Sequence, residues 1–149
     1  MISWLKENFE AVRTNLTTEI ARYKNKAFMD AIVNACALIA SADGSISGAE
    51  KQKMTGFIKN SPELKVFNMT DVIKSFNEAC EKFQFDYHLG QAEALKMIGQ
   101  IKGNEAQSRL LIRVACAIGA SDGNFDKDEQ TACIMICKDL GINPADFDL

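Results

Sequence analysis

Proline is nearly absent from this chain, so almost all of it is free to form helices. Only Pro62 and Pro144 occur among its 149 residues, and proline is the residue that most strongly disrupts a helix interior. Apolar residues also recur at steps of three and four, as at Phe9, Val12 and Leu16, which is the spacing of one helix face. No segment shows sustained alternation of apolar and polar residues. The sequence therefore predicts an all-α fold without a sheet.

The predicted helices number about seven and are separated by breaks rich in glycine, asparagine and aspartate. They cover residues 3–23, 26–41, 48–59, 71–85, 87–102, 105–121 and 127–140. Thr70 is the predicted N-cap of the fourth helix, because a threonine hydroxyl can accept a hydrogen bond from the first turn. Since 47% of the residues are hydrophobic and the length suits one core, we expect one compact, bundle-like domain over residues 1–149.

The charge balance and the hydropathy pattern exclude several classes of partner and location. With a formal net charge of -3, the chain has no general attraction to phosphate backbones, so we expect no nucleic-acid partner. No run of about 18 apolar residues is present, so we expect no membrane span. Glu7 and Glu10 lie within the N-terminal apolar stretch and argue against a secretory signal. We therefore expect a cytoplasmic protein.

The cysteines are odd in number and include no C-x-x-C pair, so they predict neither a disulfide framework nor a zinc knuckle. They are Cys36, Cys80, Cys116, Cys133 and Cys137. The last two are four residues apart and share a helix face, but the apolar residues 134–136 between them indicate a buried segment. We expect reduced thiols that pack in the core. Redox or metal chemistry is the alternative, and it would require exposure and nearby positive charge.

Two acidic loops of one pattern are the most informative feature of the sequence. Residues 42–50 read ADGSISGAE and residues 121–129 read SDGNFDKDE, and each loop follows an alanine- and cysteine-rich apolar segment. The number of residues from the aspartate of the first loop to that of the second equals the number between the two final glutamates. The chain is therefore predicted to consist of two pseudo-repeated helix–loop–helix halves.

Each loop has the form D-G-x5-E, which is the second half of an EF-hand pattern. In that pattern the glycine permits a sharp turn and the final glutamate binds a hard cation with two oxygens. The first half is missing, because apolar or small residues stand where acidic ligands should be. These are Ile39 and Ser41 in the first loop, and Ile118 and Ala120 in the second. Neither loop alone can form a complete calcium site.

Helix capping is the alternative explanation of the same residues. Ser47 and Asp126 each stand three residues before a glutamate, Glu50 and Glu129 respectively. This is the spacing of a capping box, in which the side chains of the cap and of the glutamate each accept a backbone N–H of the other. The aspartate-glycine pairs would then only supply the preceding turns.

Pairing of the two halves would bring the loop carboxylates towards a common patch. Carboxylate oxygens suit hard divalent cations such as Ca²⁺, Mg²⁺ or Mn²⁺, which tolerate water in their remaining positions. We expect weak binding, because the ligand set is short. The candidate metal ligands are Asp43, Glu50, Asp122, Asp126 and Glu129.

The chain resembles the TerB family of bacterial tellurite-resistance proteins along essentially its whole length. The resemblance rests on residues 21–26 (ARYKNK), 50–54 (EKQKM), 63–67 (ELKVF), 121–126 (SDGNFD) and 144–147 (PADF). It implies a compact fold of about seven helices and a metal-binding role for the loop carboxylates. It also implies action beside membrane-embedded and calcium-binding proteins of the same resistance system, with recruitment to the inner face of the cell membrane.

A binding module is the function that we expect, not an enzyme. The single histidine, His88, lies between Tyr87 and Leu89 with no catalytic motif around it. The first loop carries fewer charges than the second, with Ser47 where the second has Asp126, so we expect unequal metal occupancy. The alternatives are a metal-independent helical scaffold and a protein that handles tellurite through its thiols.

Overall fold

Helices form most of the part of the chain that the computed structural model describes, which is residues 3–6, 9–121, 123 and 125–149. Within those residues there are eight α-helices and no strand. They are α1 (Ser3–Lys6), α2 (Phe9–Ile20), α3 (Lys26–Ala40), α4 (Gly48–Asn60), α5 (Met69–Phe85), α6 (Tyr87–Ile98), α7 (Glu105–Gly119) and α8 (Lys127–Asp139). Short 3₁₀ turns lie at Ala21–Tyr23, Pro62–Leu64, Gly99–Ile101 and Pro144–Phe147. The all-α prediction is confirmed.

Several helix boundaries differ from the predicted ones: α6 ends at Ile98 and α7 at Gly119, before their predicted ends, and the end of the first helix and the start of α5 also differ. The first predicted helix corresponds to α1, α2 and the turn that follows them, and residues 7 and 8 lie outside the described part. The predicted cap Thr70 is wrong. Asn68 is the N-cap of α5 instead, because its extended backbone lets its side-chain oxygen accept a hydrogen bond from the Asp71 amide (3.2 Å). The helix therefore begins two residues before the predicted start.

Helix α3 lies at the centre of the core. Every residue from position 28 to position 39 is buried, and the helix contacts α5, α6, α7 and α8. Its small side chains at Ala31, Ala35 and Ala37 have no exposed surface, so neighbouring helices can approach its backbone closely. The larger Phe28 and Ile32 are also fully buried, and each such side chain contributes about 1.5–3 kcal/mol through removal from water.

Two ion pairs attach α2 to the rest of the protein. Arg13 donates two hydrogen bonds to the fully buried carboxylate of Glu63, from Nε to Oε1 at 2.6 Å and from Nη2 to Oε2 at 3.0 Å. The Ser61 hydroxyl donates to the same carboxylate. On α7, Arg113 Nη2 lies 2.7 Å from Glu19 Oε2. The helix therefore depends on long-range charge pairing as well as on its buried Leu16 and Ile20.

The two acidic loops join helices of matching length. Helices α3 and α7 have 15 residues each, and the following α4 and α8 have 13 each. Among the described residues, none of these helices or the others is long and apolar enough to cross a membrane. The idea that the whole chain consists of two repeated halves stays a prediction.

Candidate metal centre

A glycine turn opens each acidic loop. Gly44 has a φ of 102° and Gly123 a φ of 77°, which is the left-handed region that glycine adopts without a Cβ penalty. The amide of Gly44 donates to the carbonyl of Ser41, and that of Gly123 to the carbonyl of Ala120, both at 2.9 Å. These bonds form the turns that follow the two buried helices α3 and α7.

An apolar side chain then fixes each loop to the core. Ile46 and Phe125 occupy the same place in the two loops, and each is only 7% exposed. A Cβ atom added at Gly119 would lie 2.8 Å from the Phe125 ring, so this ring packs directly on the backbone of α7. The polar residues on either side of the buried residue are thereby held at the surface.

Capping boxes end both loops and begin α4 and α8. Ser47 Oγ accepts from the Glu50 amide (3.0 Å), and Glu50 Oε1 accepts from the Ser47 amide (2.8 Å). In the second loop, Asp126 Oδ1 accepts from the Glu129 amide (2.8 Å), and Glu129 Oε1 accepts from the Asp126 amide (3.3 Å). A carboxylate has two oxygens and about four acceptor sites, so capping through Oε1 of Glu50 is compatible with a cation at the same side chain.

A pocket of about 160 Å³ lies between the two loops. Carboxylates from both loops line it: Asp43 and Glu50 from the first, and Asp126, Asp128 and Glu129 from the second. Ile39, Ala40, Ala42, Lys53, Met54 and Phe57 form the rest of its wall. Four of the five predicted ligands therefore share one pocket. The fifth, Asp122, lies outside the described residues.

Sequence reasoning did not select two charged residues that line this pocket. Asp128 is in the first turn of α8, two residues after the cap, and the extra charge of the second loop was the signal for it. Lys53 follows Glu50 by three residues, so the two share a face of α4. Its ammonium lies 5.8 Å from the centre of the Phe57 ring. Five carboxylates against one ammonium make the pocket strongly negative, which attracts cations.

The donor set of the pocket fits a hard cation. Its polar donors are carboxylate oxygens, and neither cysteine nor histidine belongs to its lining, whereas soft metals prefer sulfur and nitrogen. Within residues 3–6, 9–121, 123 and 125–149, no three His, Cys, Asp or Glu side chains converge closely enough to hold an ion together. A cation here would therefore use bridging water or a small adjustment of the loops, and the volume has room for several waters.

The five cysteines are all buried free thiols. Burial raises the pKa of Cys36, of Cys80 and of Cys137 to about 12. A hydrogen bond with Cys116, together with burial, raises the pKa of Cys133. Because the thiolate is the reactive and metal-binding form, these four residues are poor nucleophiles in the folded protein. The predicted core packing of the cysteines is confirmed by their burial.

Comparison with known proteins gives one consistent result. The family model for tellurite resistance protein TerB matches residues 29–149, a span that contains both acidic loops. The tellurium resistance protein TerB of Alcaligenes sp is 44% identical over 102 residues, which cover 68% of this chain and 84% of that protein. No solved structure matches.

Proposed function

This chain belongs to the TerB family of tellurite resistance proteins, and we propose that it is a non-enzymatic binding module that holds a divalent cation between its two acidic loops. The observation that carries the proposal is the pocket in which both loops place carboxylates. The ion would be Ca²⁺, Mg²⁺ or Mn²⁺, since each prefers oxygen ligands. Affinity would be weak, because water must complete the coordination.

The proposed ligands come from two separate helix starts. Asp43 and Glu50 would bind from the first loop, and Asp126, Asp128 and Glu129 from the second. Asp122 remains a further candidate on the sequence pattern alone. Each capping glutamate would keep its bond to the cap amide through one oxygen and present carboxylate charge to the ion. Because the second loop supplies more carboxylates, the ion would lie nearer to α8 than to α4.

Cation binding would act on the protein by removing repulsion. Five carboxylates around a pocket of about 160 Å³ repel one another, and a divalent ion between them would hold both loops in one arrangement. The first turns of α4 and α8 would become more rigid. We propose that the ordered surface is what a partner protein of the tellurite-resistance system recognises. One such partner would be membrane-embedded and would recruit this chain from the cytoplasm to the inner face of the cell membrane.

A variant series tests this proposal without disturbing the caps. Glutamine can accept the cap amide as glutamate does, so Glu50→Gln and Glu129→Gln remove charge and keep capping. We expect Ca²⁺ to raise the melting temperature of the unaltered protein and to do so much less in either variant. Glu81→Gln on α5, which does not line the pocket, is the control and should respond like the unaltered protein. An equal response of all four proteins would refute the loop site.

The metal-independent scaffold is the second candidate, because both capping boxes are formed and explain the acidic residues without an ion. The scaffold predicts that Ca²⁺, Mg²⁺ and Mn²⁺ leave the melting temperature of the unaltered protein and of every variant unchanged. No observation of this structure supports the thiol alternative, since every cysteine is buried. Replacing all five cysteines by serine or alanine, with the fold retained, would test it: we expect tellurite resistance to survive.

A further inference from the structure

A second cavity shares no lining residue with the pocket between the acidic loops. It has a volume of about 510 Å³ and lies where α3 and α5 begin, within the range of about 300–1,000 Å³ that is typical of small-molecule sites. Its lining includes Lys24, Lys26, Met29, Asp30, Phe67 and Lys74, together with the acidic Asp71 and Glu78. None of them lines the pocket between the acidic loops.

A buried carboxylate forms the floor of this cavity. Asp30, in the second turn of α3, is only 3% exposed. Its Oδ1 accepts a hydrogen bond from Ser75 Oγ at 2.9 Å, and its Oδ2 accepts one from Lys26 Nζ at 2.6 Å. A buried carboxylate is costly unless it is paired, so a positive group is required beside Asp30.

Lys26 supplies that positive group from an exposed position. Its side chain is 82% exposed, so only the ammonium reaches the cavity floor. The hydrogen bond to Asp30, and the negative charges of Asp30, Glu78 and Asp71, raise the pKa of Lys26. The exposed Lys26 side chain thus places its ammonium on Asp30, in a cavity that Asp71 and Glu78 also line. Another ammonium group could replace that side chain, which would return to water.

The remainder of the cavity offers positive charge and an apolar wall. Lys24 and Lys74 bring two further ammonium groups, and the N-termini of α3 and α5, which begin at the cavity, add partial positive charge. Met29 and Phe67 are buried and supply the apolar surface. With three lysines and three carboxylates, the lining is neutral overall while both signs of charge are present.

We propose that this cavity binds a small zwitterion of the amino-acid type. The ligand ammonium replaces that of Lys26 on Asp30, the ligand carboxylate lies among Lys24, Lys74 and the helix N-termini, and the carbon chain packs on Met29 and Phe67. A lining that carries both signs of charge favours a zwitterion over a simple anion or cation, because each charge of the ligand meets an opposite charge. This site is independent of the cation proposed for the acidic loops.

Three related probes test the ligand class. L-norleucine carries both charged groups, n-pentylamine is the same chain without the carboxylate, and hexanoate is the same chain without the ammonium. In ¹H–¹⁵N NMR titrations at matched pH and ionic strength, L-norleucine should shift the amides of Met29, Asp30 and Ser75 saturably in the millimolar range. Each of the other two probes should bind at least about tenfold more weakly. Equal binding of pentylamine, or shifts only outside the cavity, would overturn the proposal.

Two variants test the position of the ligand ammonium. Lys26→Met removes the internal competitor and should tighten norleucine binding about tenfold, because the site no longer has to release its own ammonium. Lys102→Met, an exposed lysine away from the cavity, is the control and should bind like the unaltered protein. Asp30→Asn should abolish binding. If Asp30→Asn does not fold, Lys26→Met still decides, since weakened or unchanged binding in that variant would overturn the proposal.

Discussion

Substitution of Gly90 by alanine provides a quantitative test of the packing of α5 on α6. A Cβ atom built at Gly90 would lie 2.6 Å from Phe83 Cα and 2.6 Å from Phe83 Cγ, whereas carbon atoms in favourable contact are about 3.5–4.0 Å apart. Because one of the two atoms belongs to the backbone, a change of rotamer cannot relieve the clash. The two helices would have to separate by about 1 Å.

The expected loss of stability follows from two opposing effects. Overpacking of this kind costs about 1–3 kcal/mol, and the backbone clash places Gly90→Ala at the upper end. Alanine improves helix propensity by about 1 kcal/mol, so the net loss is about 2 kcal/mol, or about 4–8 °C in melting temperature. Gly56→Ala on α4 is the matched control, because a Cβ there meets nothing within 4 Å, and it should be stabilising. Urea denaturation measures the free energy of unfolding of both variants. A Gly90→Ala protein as stable as the unaltered one would refute the described contact between α5 and α6.

Three further predictions concern the buried ion pair and the thiols. Arg13→Met leaves the fully buried Glu63 without its cation and should lower the free energy of unfolding, measured by urea denaturation, by about 3 kcal/mol. The double variant that also carries Glu63→Gln should recover part of this stability. If it recovers none, the pairing is contradicted. Since the pKa of Cys36, Cys80 and Cys137 is raised from 9.0 to about 12, the stability that this shift contributes should be complete below pH 9 and be lost as the pH rises towards 12. Iodoacetamide at pH 8 should leave all five thiols unmodified in the native protein and alkylate them in urea, as mass spectrometry would show; rapid alkylation of the native protein would contradict their burial.

The helices were predictable because local rules determine most of their positions. The nearly continuous apolar sequence of α3 indicates a buried helix, and the side-chain oxygens of Asn25 and Asn104 cap α3 and α7, as asparagine commonly does. The cap at α5 was predicted wrongly, because Asn68 and Thr70 are both competent caps. The choice between them depends on where the preceding Pro62–Leu64 turn leaves the chain.

The candidate site was predictable only as far as the loop pattern extends. The repeat selected Asp43, Glu50, Asp126 and Glu129, because each has a counterpart or a capping role within its own loop. Whether Lys53 and Asp128 line the pocket depends on how α4 and α8 are arranged relative to each other. The spacing of residues along the sequence does not determine that arrangement. The pairing of Arg13 with Glu63 could not be predicted from the sequence for the same reason, because only tertiary packing brings together residues so distant along the chain.

The central claim, one cation shared by both loops, is tested most directly with Mn²⁺. In the metal-free, ¹⁵N-labelled protein, a small amount of this paramagnetic ion broadens only those amides that lie close to it. We predict simultaneous broadening at Gly44 and Glu50 in the first loop and at Gly123 and Glu129 in the second, reversed by excess Ca²⁺. Broadening confined to one loop, spread evenly over the surface, or absent at millimolar ion would contradict the shared site.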